Sequence, residues 1–339
     1  MSLRQFIPPP YQPVFTTTPG TCCWLPGSDC FLKVFPTAFQ LFQGSKCLAE
    51  KLFVELGENP SFTAYVDAIH QRITVEGHSR AGFFRYRIEA HSDGVLFSPV
   101  KGLSLEKRMY PLPCVAPRFP LPRLMLGCHK AACWERISHR PTLTEMMPLW
   151  HLLGREKVPI GEDETLLGQL AGAVQRNEIR TVGPLLLNLF AVGIQGIFVP
   201  KREDDLFLGF SRKAYPDALS LSQVHSAVST LISSMFVREE ETVQLLPCVP
   251  VEAVSGRIYS FPLASGHLLS LEWRKGTIRR LLLRAACDDT VTLSSPAQRA
   301  TLRCIESAER KKPFSLDRPL VVQQGKRYLL DNWSLRGLR

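Results

Sequence analysis

The sequence predicts an α+β protein with an N-terminal β-sandwich, a short helical middle and a C-terminal β-sandwich. Three observations predict it. Apolar residues alternate with polar ones every second position in the first and last thirds, as half-buried strands require. In the middle, apolar residues recur at three and four positions, the period of an amphipathic helix. With 339 residues, 45% of them hydrophobic and 21% charged, the chain has the composition of an ordinary globular protein with enough length for two or three cores.

The elements follow in chain order. Residues 1–20 read as an N-terminal arm, with prolines at Pro8, Pro9, Pro10, Pro13 and Pro19 that fix φ and remove backbone donors. Residues 21–123 read as a β-rich, sandwich-like domain. The clearest strand is Phe84 to Ala90, where Phe84, Tyr86, Ile88 and Ala90 share one face and Arg85, Arg87 and Glu89 the other. Phe62–Ile69 and Arg72–Glu76 read as strands before it, and Gly77–Gly82 as a loop.

Residues 124–240 read as the helical region. Thr142 followed by Glu145 has the spacing of a capping box, ahead of the apolar run Leu143–Leu153, which Pro148 must kink unless it lies near the helix start. A second helix is expected near Asp163, where Glu162, Asp163 and Glu164 suit the positive end of a helix dipole. Residues 182–199 are apolar enough to resemble a membrane span. Pro184, Asn188, Gln195 and three glycines point instead to a buried helix over 184–195. The strongest helix pattern is Ser220–Phe236.

Residues 241–339 read as a second β-rich domain. Leu269, Leu271 and Trp273 alternate with Leu268, Ser270 and Glu272. Arg274–Lys275–Gly276 then reads as a tight turn and Thr277–Ala285 as the return strand. Val321–Val322 and Arg327–Leu330, around Gln323–Lys326, read as a second hairpin.

The net charge is +10, densest between Arg274 and Lys312. No block of five like charges occurs, so an ordinary basic surface is favoured over a nucleic-acid site. The first fifteen residues have no apolar signal core, and the ten cysteines sit mostly in apolar company. A cytoplasmic protein with free thiols is therefore expected. No P-loop, dinucleotide or nucleophile-elbow pattern is present, and no cofactor is expected.

From the 221–236 helix onward the chain resembles the end of the α-L-fucosidase-type glycoside hydrolases built on an (α/α)6 barrel. The resemblance rests on Leu245–Leu246–Pro247–Cys248–Val249–Pro250, Gly256, the strand Leu269–Trp273 and Arg274–Ile278, about a quarter of the chain. It implies a final barrel helix running into a C-terminal sandwich, with a further sandwich at the N-terminus. The helical region is too short for twelve barrel helices of about 11–12 residues each plus loops, so no catalytic residue is carried over. A second stretch, Leu126–Lys130 through Trp134 to Trp150, is similar to a segment found in proteins of chlamydia-like bacteria and implies no activity.

The expected role is carbohydrate-related binding or an interaction function, with a carbohydrate or a protein as partner. Glycoside hydrolysis is one alternative, needing two carboxyl groups that flank one bond. The most cleft-like candidates for it are Glu203 and Asp205, between an apolar segment and Phe207–Phe210. A basic adaptor for an acidic partner or nucleic acid is the other alternative. His129, Lys130, Trp134 and Glu135 form a mixed polar and aromatic set suited to ligand recognition. Cys128, His129, Cys133 and His139 have the right chemistry for zinc, but neighbouring ligands at 128 and 129 make joint ligation awkward, so no metal is expected.

Overall fold

The computed structural model describes residues 13–52, 61–103, 106–111, 122–127, 137, 142–154, 156, 158–204, 213–307 and 311–334. Ten strands make the N-terminal part: β1 (Val14–Thr16), β2 (Thr21–Trp24), β3 (Cys30–Val34), β4 (Ala38–Gln43), β5 (Lys46–Leu52), β6 (Ser61–Asp67), β7 (Arg72–Ser79), β8 (Gly82–His91), β9 (Gly94–Lys101) and β10 (Arg108–Pro111). They form two antiparallel sheets, β1-β6-β7-β8-β9-β10 and β2-β3-β4-β5. Phe84, Tyr86 and Ile88 are buried, as their alternation predicts. Phe39 of β4 lies 6.3 Å from Phe97 of β9 and 6.0 Å from Tyr110 of β10, so the two sheets meet face to face as a sandwich.

Residues 14–16, inside the stretch read as an arm, add to the edge of the larger sheet as β1. The loop expected over Gly77–Gly82 is shorter. β7 continues to Ser79, and only Arg80 and Ala81 make the turn. Gly77 is there because the strand β6 passes close. A Cβ at Gly77 would sit 1.9 Å from the Ser61 carbonyl oxygen, which no side chain tolerates.

β11 (Arg123–Leu126) crosses to the C-terminal sheet, pairing with residues 256–259. Four helices with described bounds follow: α1 (Leu143–His151), α2 (Leu166–Gln175), α3 (Val182–Gly193) and, after the small hairpin β12 (Ile194–Gln195) and β13 (Val199–Pro200), α4 (Leu221–Phe236). α1 carries Pro148 in its interior. Its N-cap is Thr142, but no capping hydrogen bond forms and the hydroxyl is buried without a partner. The reciprocal capping box occurs instead at α4, where the Ser220 hydroxyl accepts from Gln223 N–H and the Gln223 side chain accepts from Ser220 N–H.

α2 starts after the expected position. Thr165 caps it, and the Asp163 carboxylate accepts from the Thr165 N–H at 2.7 Å and from its hydroxyl. The acidic run thus orders the cap instead of forming the first turn. α3 is the expected buried helix, and no described helix is long and apolar enough to cross a membrane.

The C-terminal part holds β14 (Val237–Glu239), β15 (Val243–Leu245), β16 (Ser255–Pro262), β17 (Leu268–Arg274), β18 (Thr277–Arg284), β19 (Asp289–Val291), β20 (Leu293–Ser294), β21 (Arg299–Cys304), β22 (Lys312–Ser315), β23 (Leu320–Val322) and β24 (Arg327–Ser334). A seven-stranded sheet, β11-β16-β17-β18-β24-β21-β22, is joined in one core by the small sheets β14-β15-β20 and β19-β23. The β17–β18 hairpin forms as expected, with Lys275 and Gly276 both at positive φ, the backbone of a twisted two-residue turn.

The second expected hairpin does not pair with itself. The turn at Gln323–Lys326 closes with Lys326 N–H on the Gln323 carbonyl. β23 then pairs with β19 and β24 with β18 and β21. The turn signature is local, and the chain uses it to step between sheets.

Candidate functional site

The sequence-derived candidates divide sharply. Glu203 is described and exposed, on the turn that follows β13. Asp205, His129, Lys130, Trp134 and Glu135 lie outside the described residues, as do Cys128, Cys133 and His139. The other acidic clusters have structural work. Glu162 pairs with Arg176 at 2.7 Å, and Glu239 accepts from the Ala264 N–H at 2.7 Å. Trp273 is core, stacked 4.9 Å from Phe236 with its indole N–H on the Ala253 carbonyl.

Glu203 lines a cleft of about 700 Å³ between the four-stranded sheet and the start of α4. One wall is built by the sandwich: Cys22 of β2, Asp29 and Phe31 at the start of β3, and the β4–β5 turn. The other wall comes from residues 199–203, Tyr215 and the α4 N-terminus. Two contacts hold the walls together. The Ile197 N–H donates to the Cys22 carbonyl at 3.2 Å, beside Gly196, where a Cβ would lie 2.8 Å from that same oxygen. Across a separation of 193 residues, the Asp29 carboxylate accepts from the Ser222 N–H at 3.0 Å and from its hydroxyl at 2.7 Å. A carboxylate at a helix N-terminus meets both unpaired N–H groups and the positive dipole end.

The cleft mixes flat apolar faces with polar groups. Phe31 stacks on Phe42 at 5.0 Å with the rings nearly parallel. Arg202 lies over the Tyr215 ring at 6.0 Å and donates to the Asp217 carbonyl at 3.1 Å. Lys213 binds Asp217 at 2.7 Å, and this hydrogen bond holds the Asp217 carboxyl below the usual range. Burial pushes the Tyr215 phenol up, so it stays a neutral hydrogen-bonding group. Gln43, Ser45 and Lys201 add amide, hydroxyl and ammonium groups.

This arrangement suits binding better than proton-transfer catalysis. A glycosidase acid needs a desolvated setting that keeps it protonated. Glu203 is exposed to water, and one oxygen of Asp29 is committed to Ser222. Sequence reasoning singled out Glu203 but missed Asp29, Phe31 and Tyr215. Their only local signal is the Ser220–Gln223 capping spacing, which marks the helix start that Asp29 addresses.

Behind the cleft lies a buried aromatic and histidine layer. Trp24 packs 4.4 Å from His225, which meets Phe198 at 6.5 Å. The Trp150 indole N–H donates to His225 Nδ1 at 3.0 Å, so Nε2 carries the proton and donates it to the Phe198 carbonyl at 2.7 Å. Burial pushes His225 down to about 3. His151, between Pro122 and α4, is likewise pushed down to about 4 by burial. Its Nε2 lies 3.0 Å from the Pro122 carbonyl oxygen, and its Nδ1 lies 3.1 and 3.3 Å from the Ser229 and Ser233 hydroxyls and 3.3 Å from the Ser229 carbonyl oxygen. Both rings are neutral and fully engaged, so they tie elements together.

His267, Cys287 and Asp289 bring three metal-ligating atoms within 4.8 Å of one another. The hydrogen bonds argue against a metal there. The Ala286 N–H donates to His267 Nδ1 at 3.0 Å, which forces the proton onto Nε2, and Nε2–H donates to Asp289 at 3.0 Å. A metal on Nε2 would need a proton on Nδ1 pointing at the Ala286 N–H, the reverse of the usual outer-shell arrangement. No family model and no curated protein matches this chain.

Proposed function

We propose that this chain is a carbohydrate-binding protein without its own hydrolytic site, built on a reduced form of the glycosidase architecture that its C-terminal third resembles. The observation that carries this reading is the cleft between sandwich and α4, where the half-buried ring of Phe31 stands among Asp29, Gln43, Arg202 and Glu203, with the buried Tyr215 ring beneath Arg202. Sugars present apolar C–H faces and a rim of hydroxyls. A flat ring beside side chains able to donate and accept matches both features.

The order of elements supports the architectural part. α4 leads through Leu245–Pro250 to Gly256 and the strands β16, β17 and β18. Gly256 has a packing reason: a Cβ there would lie 2.5 Å from the Trp273 ring and 2.6 Å from the Met125 carbonyl oxygen. Four described helices lie between the two β-rich parts, and the proposal reads them as the remnant of a barrel. Cys22, Cys23, Cys47, Cys248, Cys287 and Cys304 are free thiols, which fits the cytoplasmic placement included in the proposal.

The test is a glycan panel read for binding and for sugar release by the full chain. The expected result is binding to at least one oligosaccharide, weakened at least tenfold by Phe31→Ala or Arg202→Ala, with no sugar released. Release abolished by Glu203→Gln would establish a hydrolase instead, and absence of binding across the panel would remove the carbohydrate reading.

A further inference from the structure

The chain's positive charge is concentrated in its C-terminal part. Residues 255–334 hold fourteen Lys and Arg against seven Asp and Glu, a surplus of seven out of the net ten. Ten of the fourteen are arginines, whose planar forks pair with carboxylate, sulfate or phosphate through two parallel hydrogen bonds.

The topology gathers some of these on one face. On β18, Leu281 and Leu283 point into the core, so Arg280, Leu282 and Arg284 point outward. β24 lies next to β18, with Leu329 opposite Leu282, and β21 follows, with Arg303 opposite Leu329. Arg280, Leu282, Arg284 and Arg303 therefore share the outer side of the sheet, with the buried Leu329 beneath them. Strands are about 4.8 Å apart and rise about 3.4 Å per residue. Arg303 thus stands roughly 10 Å across the sheet from Leu282, and Arg280 and Arg284 are separated by roughly 14 Å along it.

Ion pairing sorts the charges on this face. Arg257 is held by Glu272 at 3.2 Å, Lys311 by Asp331 at 3.2 Å and Arg327 by Glu306 at 2.5 Å. Arg280, Arg284 and Arg303 take part in no ion pair among the described residues. Arg303 Nε is also buried without a hydrogen-bond partner, a costly state for a charged donor.

From this we infer a second binding surface, on the outer face of the C-terminal sheet, that takes an acidic polysaccharide through Arg280, Arg284 and Arg303. Two features favour such a polymer over duplex nucleic acid. Glu272 and Asp331 interrupt the positive field, and a duplex carries a charge every 1.7 Å or so, which would press phosphates against both carboxylates. A polymer with one carboxylate or sulfate per sugar places its charges farther apart. The half-buried Leu282 also lies between Arg280 and Arg284, where an apolar sugar face can rest. This surface is separate from the cleft and does not depend on it.

The test uses the full chain with polygalacturonate, a neutral glucan and a DNA duplex as probes, at several salt concentrations. Binding to polygalacturonate is expected, with the logarithm of the affinity falling with that of salt at a slope of roughly two to three for three paired cations. R280Q/R284Q/R303Q is expected to lose at least tenfold, and R280K/R284K/R303K less. The cleft variant Phe31→Ala is expected to leave this binding unchanged, which separates the two surfaces. Three outcomes would overturn the inference: no binding to polygalacturonate, tighter binding to DNA or, in the Phe31→Ala variant, to the neutral glucan, or full retention by a glutamine triple variant whose circular dichroism matches the parent.

Discussion

At the scale of single residues, the buried histidines carry the clearest consequences. His225 accepts from Trp150 and donates to the Phe198 carbonyl. His225→Phe would fill the space yet strand both partners, and each stranded group costs about 1–3 kcal/mol. A loss of about 3 kcal/mol in urea unfolding is expected, more than a surface substitution gives. The pH dependence follows from the same burial. His151 and His225 hold their folded pKa values near 4 and 3, below the ordinary 6.5. Below pH 6.5 the unfolded chain takes up protons that the folded chain refuses. Stability is therefore complete above that pH and falls as pH drops toward the folded values, by about 1.4 kcal/mol per pH unit for each histidine. Unfolding free energies measured between pH 7 and pH 4 should show this slope, and His225→Phe should remove one proton's share of it. None of this was legible in the sequence, because a histidine's burial depends on partners 27 and 75 residues away.

At the scale of elements, sequence and structure agree where one face of a segment is buried and local chemistry is enough. The alternation in β8 and β17 and the three–four spacing in α4 are of that kind, and each element forms where its pattern lies. They part where two segments offer the same local signal. Thr142 and Ser220 both precede a helix with Glu or Gln three residues on, but only Ser220 makes the reciprocal bonds. Ser220→Ala should cost about 1 kcal/mol, whereas Thr142→Ala should be neutral or better, since it removes a buried unpartnered hydroxyl. Thermal melts of the two variants separate these outcomes. Likewise, glycine in a turn-like run suggested a loop over Gly77–Gly82, yet Gly77 is a strand residue pressed on Ser61. Gly77→Ala should destabilise by at least about 2 kcal/mol, while Gly82→Ala, with open space around it but φ at +108, tests backbone strain alone.

At the scale of the whole molecule, the organisation of sandwich, helices and sandwich was readable because each part carries its own periodicity. The cleft was not, because its walls come from residues 22–45 and 199–221 and meet through Asp29 and Ser222. No local pattern records a contact over that distance. Asp29→Ala should therefore do two things at once: lower stability by about 2 kcal/mol, as a charge-assisted contact does, and weaken ligand binding by loosening the walls. Asp29→Asn keeps an acceptor and should lose less of both in paired unfolding and binding titrations.

The most direct measurement is amide hydrogen exchange of the full chain with and without the neutral oligosaccharide it binds best. Slowed exchange is expected in peptides covering residues 29–45, 199–203 and 219–223, with the β16–β18 region unchanged. Protection confined to other parts of the chain, or no protection at saturating oligosaccharide, would contradict the account.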